Sequence, residues 1–148
     1  MITSETKENT LDLLEHNEQY SPWLKDISKI IDYASIKKKH FFDFGCGVGA
    51  WTLVASKTFE NVTGFDFKEE IHKAKHLLDV NNIKNVSYNH FESGIDDLNK
   101  MNISPIDTLV SIMVVELIPS SDVINLFKFA YENLSENGRF LIVTRKRI

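Results

Sequence analysis

Short apolar runs alternate along the chain with segments whose apolar residues recur every three or four positions. A short apolar run is typical of a buried strand, and the three-to-four spacing is typical of one face of a helix. The runs predict five strands, at residues 40–44, 61–65, 86–90, 106–114 and 140–144. Because helices separate them, the pattern predicts βαβ units with right-handed crossovers, and therefore a parallel sheet.

The segments between the strands predict helices at residues 21–34, 50–58, 69–80, 96–101 and 120–134. Ser21 and Pro22 suit the first helix start, and Asn137-Gly138 suits a stop after the last helix. No repeat or linker interrupts the pattern. We therefore expect a single domain over residues 1–148, of which the polar residues 1–20 form a mobile N-terminal segment.

Charge and cysteine content narrow the possible partners and location. The 148 residues contain 17 Lys and Arg against 21 Asp and Glu, a formal net charge of −4. This balance disfavours nucleic acid as a partner, since binding to phosphates needs clustered cations. Cys46 is the only cysteine, which favours a reducing compartment. We see neither a signal peptide nor the roughly 20 apolar residues of a membrane span, and expect a cytoplasmic protein.

The segment FFDFGCGVGAW, residues 41–51, joins the first predicted strand to a helix through a glycine-rich loop. Gly45, Gly47 and Gly49 permit positive φ angles and a close approach of the backbone to a ligand. A strand, a glycine turn and a helix start together predict a nucleotide site. Because the spacing from Gly45 to Ala50 also fits the dinucleotide fingerprint, the loop alone leaves the nucleotide open.

Further features accompany this loop. Asp43 precedes Gly45 by two residues, and Asp66 ends the second strand. The fourth strand runs into VVELIP, and ENGRFLI leads into the fifth. In this order and spacing, over residues 41–143, the motifs resemble the class I S-adenosylmethionine-dependent methyltransferases. The resemblance implies S-adenosyl-L-methionine as the cofactor and S-adenosyl-L-homocysteine as its product.

The resemblance also implies an α/β fold of the Rossmann-like, doubly wound type. We expect a mostly parallel five-stranded sheet in the order 3-2-1-4-5, with helices on both faces. Members of the family normally continue through a helix and antiparallel strands, which we expect this chain, ending at Ile148, to lack. The apolar fifth strand would then be a sheet edge, so we expect either that the chain is the cofactor-binding portion of a longer protein or that a homo-oligomer or a partner chain covers this edge.

The family places its cofactor over the glycine loop. By this resemblance Gly45, Cys46, Gly47 and Gly49 pass under the methionine part and the ribose. Asp43 would accept hydrogen bonds from loop amides or from the cofactor ammonium. Although a thiolate is favoured at a helix start, we expect the Cys46 thiol to be inert.

Other residues are implied to hold the ribose and the adenine. Asp66 would accept hydrogen bonds from both ribose hydroxyls, since an ionised carboxylate is an acceptor only. Phe67 would either lie against the adenine or pack in the core. Glu92 takes the place of an Asp that binds the adenine amino group in the family, with Phe91 before it. Glu is one methylene longer than Asp, so the amide of Ser93 is the alternative contact.

Two more residues complete the implied cofactor site. Met113, at the end of the fourth strand, would lie near the methyl group and the adenine edge. Tyr20, in the segment before the first strand, would close over the cofactor carboxylate. We predict no metal site.

The acceptor of the methyl group is less defined. The segment SIMVVEL contains neither the N-P-P-Y-like motif nor the Pro-Cys pair of base-methylating enzymes. With the net charge, this favours O- or N-methylation of a small molecule such as a sugar, metabolite or lipid precursor. His16, His90 and Glu116 are candidate general bases, and no catalytic residue stands out.

Two alternative functions remain open at this point. One is a non-catalytic S-adenosylmethionine-binding module or partner subunit. The other is an NAD-binding domain, which only Ala50 supports.

Overall fold

The computed structural model of the protein describes residues 21–145. The predictions for Tyr20 and for the segment 1–20 lie outside the described residues. No helix within 21–145 is long and apolar enough to cross a membrane. In chain order, the elements are α1 (Ser21–Ala34), β1 (His40–Phe44), α2 (Ala50–Ala55), β2 (Asn61–Asp66), α3 (Lys68–Asn81), β3 (Val86–His90), a 3₁₀ helix (Ile95–Lys100), β4 (Ile106–Ile112), α4 (Ser120–Asn133) and β5 (Leu134–Val143).

The strands form one sheet in the order β3-β2-β1-β4-β5. Every neighbouring pair is parallel, so the carboxyl ends of all the strands meet at one edge. The predicted fold class and strand order are confirmed. The order reverses between β1 and β4, and open α/β sheets bind ligands at the carboxyl edge beside such a reversal.

Helices cover both faces of the sheet and bury the apolar side chains of β1. On one face, Phe42 packs in a cluster with Leu126 and Phe129 of α4. On the other face, Phe41 packs in a cluster with Ile31 of α1 and with α2. Each such buried side chain contributes about 1.5–3 kcal/mol. Because both faces are covered, β1 is mostly apolar, and its only polar residues are His40 and Asp43.

β4 ends at Ile112 rather than at residue 114 as predicted. Met113 has a φ of 60°, and this left-handed conformation is incompatible with a pleated strand. The Met113 amide donates a hydrogen bond to the carbonyl of Val143 at 2.7 Å, and the Leu117 amide donates to the carbonyl of Val114 at 2.8 Å. The chain therefore turns away from the sheet directly after β4.

The prediction for the end of α4 and the start of β5 is wrong. α4 ends at Asn133 and β5 begins at once with Leu134. The predicted stop at Asn137-Gly138 lies inside β5, where the pairing with β4 is interrupted and Asn137 has a φ of 64°. The Ser135 hydroxyl donates to the Asp107 carboxylate on β4 at 2.7 Å, which ties the early part of β5 to the sheet.

The other bounds shift by a few residues. α2 ends at Ala55 rather than residue 58, because the Thr58 amide donates to the Ala55 carbonyl three residues back, in a tighter turn. The helix predicted at 96–101 is a 3₁₀ helix, Ile95–Lys100. α3 is one residue longer than predicted at each end, and β5 stops at Val143 rather than Thr144.

Candidate functional site

The glycine loop leaves β1 at the carboxyl edge of the sheet. Gly45, Gly47 and Gly49 have φ angles of 76°, 53° and 91°, a region that side chains with a Cβ rarely adopt. The Gly45 amide donates to the carbonyl of Phe65 on β2 at 2.8 Å, and the Gly49 amide donates to the carbonyl of Cys46 at 2.9 Å. The loop is thus held against the end of β2.

The three glycines differ in what surrounds them. A Cβ on Gly45 would lie 2.3 Å from Cγ2 of Val114, and a Cβ on Gly49 would lie 2.2 Å from the hydroxyl oxygen of Tyr88. A Cβ on Gly47 would meet nothing within 4 Å. Gly45 and Gly49 therefore pack against the protein, whereas Gly47 faces the open side of the loop, where a ligand can approach the backbone.

Asp66 connects the end of β2 to this loop. Its Oδ2 accepts a hydrogen bond from the Gly47 amide and its Oδ1 accepts one from the Phe67 amide, each at 2.7 Å. Burial raises the pKa of the Asp66 carboxyl, and the two amides offset part of that rise. Each carboxylate oxygen can accept a further hydrogen bond, so the geometry is compatible with the predicted contact to a ribose.

Asp43 is fully buried at the end of β1. Neither of its oxygens has a hydrogen-bond partner among the described residues. Burial, and secondarily the nearby charge of Asp66, raise the pKa of the Asp43 carboxyl to about 8. No loop amide donates to it, so of the two predicted roles only the contact with a cation of the ligand is compatible with this geometry.

Tyr88 of β3 packs against the glycine loop at Gly49. This support was not predicted from the sequence. The Tyr88 hydroxyl is hydrogen-bonded to the hydroxyl of Thr52, which also donates to the carbonyl of Gly49 at 2.7 Å. A Cβ on Gly64 would lie 2.5 Å from the Tyr88 ring. A glycine inside a strand marks such a close approach, so Gly64 was the signal for this contact.

Cys46 is a buried residue of the loop. Burial, with the charges of Asp43 and Asp66, raises the pKa of the Cys46 thiol above its usual value. A raised pKa keeps the thiol protonated, and a protonated thiol is a poor nucleophile. Cys46 therefore contributes its backbone and its small volume to the loop.

Two aromatic side chains lie beside Asp66. Phe67 is 63% exposed, so it lies outside the core, and its ring centroid is 5.3 Å from that of Phe91. Phe91 in turn packs edge-on against the buried Phe65 at 4.3 Å. An exposed ring held by a packed neighbour offers a flat apolar surface, the kind of surface on which a base stacks.

The loop after β3 is organised by Asp97, a second residue that the sequence analysis missed. Its Oδ2 accepts hydrogen bonds from the amides of Glu92 and Ser93, at 2.8 and 2.7 Å. The Ser93 amide, predicted as an adenine contact, is therefore already bonded within the protein. The Glu92 side chain is exposed, with Oε1 at 2.9 Å from Nε2 of His90. Asp97 follows Ser93 by four positions. Because Asp commonly caps nearby backbone amides, this spacing was the signal for its role.

The turn after β4 borders the same edge of the sheet. It contains Met113, which is half-buried, and Val114, which packs against Gly45 as described above. Oε2 of Glu116 is buried there without a hydrogen-bond partner among the described residues. A buried, unpartnered carboxylate oxygen beside a ligand-binding edge is a candidate acceptor for a substrate hydrogen bond.

A separate cavity of about 320 Å³ lies at the opposite, amino-terminal edge of the sheet. His40 lines it, with Nε2 at 2.8 Å from the Thr63 hydroxyl and Nδ1 at 3.1 Å from the Ser104 carbonyl. Both ring nitrogens are thus engaged in holding β1, β2 and the segment before β4 together. We assign His40 a structural role.

A sequence profile described as a methyltransferase domain matches residues 14–147. The match covers most of the chain, so the chain belongs to this family of methyltransferase domains, and the resemblance seen in the sequence is confirmed. No curated protein is significantly similar in sequence.

Solved structures share the fold at low sequence identity. A Streptococcus mutans protein assigned to the methyltransferases, solved with S-adenosylhomocysteine (SAH), is 22% identical, with a TM-score of 0.66, over 80% of this chain and 70% of its own. An S-adenosylmethionine-dependent methyltransferase of Clostridium acetobutylicum is 20% identical (TM-score 0.66; 91% and 55%). TehB of Haemophilus influenzae is 21% identical (TM-score 0.70; 88% and 44%).

These neighbours share the predicted fold, and the family match bears out the predicted enzyme class and cofactor. This chain spans 44–70% of the length of the three.

Proposed function

We propose that this chain binds S-adenosylmethionine at the carboxyl edge of the sheet and transfers its methyl group to a small molecule. One observation carries the proposal. The glycine loop is open at Gly47 and lies beside two carboxyl groups, Asp43 and Asp66, that form no ion pair with a cationic side chain of the described residues. A ligand that carries both a ribose and positive charge complements this arrangement.

The predicted residues then have distinct tasks. Asp66 accepts hydrogen bonds from the ribose with its remaining lone pairs, and Asp43 faces the positively charged amino-acid end. Phe67 offers its exposed ring to the adenine, and Met113 borders the methyl group. The cofactor supplies an already activated methyl group, so the protein has to orient an acceptor in line with it and exclude water.

The binding half of this proposal is tested by titration calorimetry with SAH and, separately, with NAD. We expect heat with SAH and none with NAD. Asp66→Ala should weaken SAH binding by about 1.5–3 kcal/mol for each hydrogen bond lost to the charged group. Asp26→Ala removes an exposed carboxylate of α1 and should leave the affinity unchanged. Binding of NAD in place of SAH would contradict the proposal.

The transfer half is tested with S-adenosylmethionine carrying a radiolabelled methyl group, offered sugars, small metabolites and lipid precursors as acceptors. DNA, RNA and a protein mixture serve as the competing classes. We expect label only in small molecules. SAH binding without label in any acceptor would favour the alternative, a cofactor-binding module that does not catalyse transfer.

Glu116 is the candidate base that the geometry favours for a hydroxyl acceptor, because its buried Oε2 has no partner in the described residues. Glu116→Gln keeps the shape and removes the base. We expect a lower kcat with an unchanged SAH affinity. Equal kcat for the variant and the wild type would exclude this role.

We also propose that another chain, either a second copy of this one or a different partner, pairs with β5. In the described residues β5 has only β4 as a neighbour, and its residues Phe140, Leu141, Ile142 and Val143 are apolar. An apolar edge with free backbone groups is a site for strand pairing. We propose in addition that the protein is cytoplasmic. Its single cysteine favours a reducing compartment.

A further inference from the structure

Asp43 and Asp66 lie close enough for the charge of one to raise the pKa of the other. Asp66 has two amide donors, whereas Asp43 has no donor among the described residues. A buried carboxylate without a hydrogen-bond donor or a cation is strongly disfavoured relative to its protonated form. The two amide donors therefore favour the ionised form of Asp66, whereas nothing around Asp43 in the described residues favours its ionised form.

Within residues 21–145, no group that faces Asp43 can neutralise a negative charge on it. The titratable groups around it in the described residues are Asp66 from β2, the Cys46 thiol from the loop and the Tyr88 hydroxyl from β3. All three are acids. Its register partners in the sheet are Gly64 on β2 and Val110 on β4, neither of which titrates.

We propose that Asp43 is a neutral carboxylic acid in the free chain, and that an ammonium-bearing ligand binds above it by replacing its proton. This inference rests on the proposed function and deepens it. In the balanced step, the Asp43 carboxylic acid and the R–NH₃⁺ group of the ligand give a carboxylate–ammonium pair, and the carboxyl proton leaves to the buffer. The total charge of the buried site is therefore the same before and after binding.

The size of the effect follows from the pKa of about 8 for Asp43. Since only the ionised form binds the ammonium, the apparent affinity is reduced by the fraction of Asp43 that is ionised. That fraction is about one half at pH 8 and about one hundredth at pH 6, so we expect SAH to bind roughly 50-fold more tightly at pH 8. At pH 7, binding should release about 0.9 proton per site.

Titration calorimetry of SAH at pH 7, in two buffers of different ionisation enthalpy, counts the protons released. 5′-Methylthioadenosine is the matched probe, since it keeps the adenosine and lacks the ammonium. We expect release with SAH only, and an affinity for the nucleoside that does not change from pH 6 to pH 8. Asp43→Asn, which has no proton to release, should bring the count for SAH close to zero.

A second measurement does not depend on the folding of a variant. The free wild-type chain at pH 7 should show the infrared carbonyl band of a protonated carboxyl group, and SAH should remove it. SAH binding without proton release would overturn this inference and leave the proposed function intact. Absence of SAH binding at every pH from 6 to 8 would refute the proposed function and this inference with it.

Discussion

Alanine substitutions at Gly45 and Gly47 separate the structural role of the glycine loop from its role in binding. Both residues have positive φ, where a residue with a Cβ costs about 1–2 kcal/mol. At Gly45 the new Cβ would also lie 2.3 Å from Cγ2 of Val114, and such overpacking adds about 1–3 kcal/mol. We expect Gly45→Ala to lower the free energy of unfolding by about 2–5 kcal/mol, and Gly47→Ala by about 1–2 kcal/mol.

Binding should show the opposite ranking. The Cβ of Gly47→Ala would project into the open side of the loop, where we place the ligand. We expect it to weaken SAH binding by about tenfold or more, equivalent to about 1.4 kcal/mol, in a protein that is still folded. Urea denaturation measures the stability of both variants, and calorimetric titration with SAH measures the binding of each variant that folds.

A double variant tests the assigned cause. In Gly45→Ala/Val114→Ala the γ-methyl groups that the new Cβ would overlap are absent. We expect the double variant to be more stable than the sum of the two single changes by about 1–3 kcal/mol. Equal losses of stability at Gly45 and Gly47, or no recovery in the double variant, would refute the reasoning.

Three further predictions address the supports of the site and the sheet edge. Tyr88→Phe removes the hydrogen bond to Thr52, so we expect about 0.5–1.5 kcal/mol less stability in urea denaturation and weaker SAH binding; unchanged binding would show that the loop does not depend on this support. The hydrogen bonds from Lys100 and then from the Ser93 amide hold the pKa of Asp97 below its usual range, so its contribution to stability is present above about pH 4, the unfolded value, and is lost as the pH falls. Asp97→Asn should therefore flatten the acid limb of the stability curve, and an unaltered limb would contradict this. Ile142→Lys should give a monomer in light scattering while Ile36→Lys, an exposed loop position, should not; a wild-type monomer at all concentrations would exclude self-pairing at β5.

The fold could be predicted from the sequence because the strands carry their own signal. A parallel strand covered on both faces is a mostly apolar run, as in β1 (HFFDF) and β4 (IDTLVSI), and the helices between such runs require crossovers. The glycine spacing likewise predicted the loop, and Asp66, whose carboxylate accepts a hydrogen bond from that loop, was predicted at the end of the next strand. The strand runs and the glycine spacing depend on residues that are close in the sequence, whereas Asp66 lies 19 positions after Gly47.

Two features that were not predicted depend on contacts between distant segments. Tyr88 and Thr52 are 36 positions apart, and nothing local to either residue indicates that their hydroxyl groups meet. Leu134 continues the apolar spacing of the preceding helix, so the sequence pattern predicted a helical residue there. In the structure Leu134 instead begins β5, where it pairs with Ile106 of β4. In both cases tertiary pairing overrides the local pattern.

The two outer strands of the sheet have different character, and this limits how the protein can assemble. β3 presents exposed polar side chains such as Ser87 and Asn89, whereas the regular part of β5 is apolar. In the pairing that we propose, association would therefore be directed to the β5 end of the sheet. Two copies that pair through β5 around a two-fold axis would form a closed dimer, because the β5 edge of each copy would then be paired with the other. Growth into an open-ended filament would require the polar β3 edge as well, and the sequence of that strand opposes it.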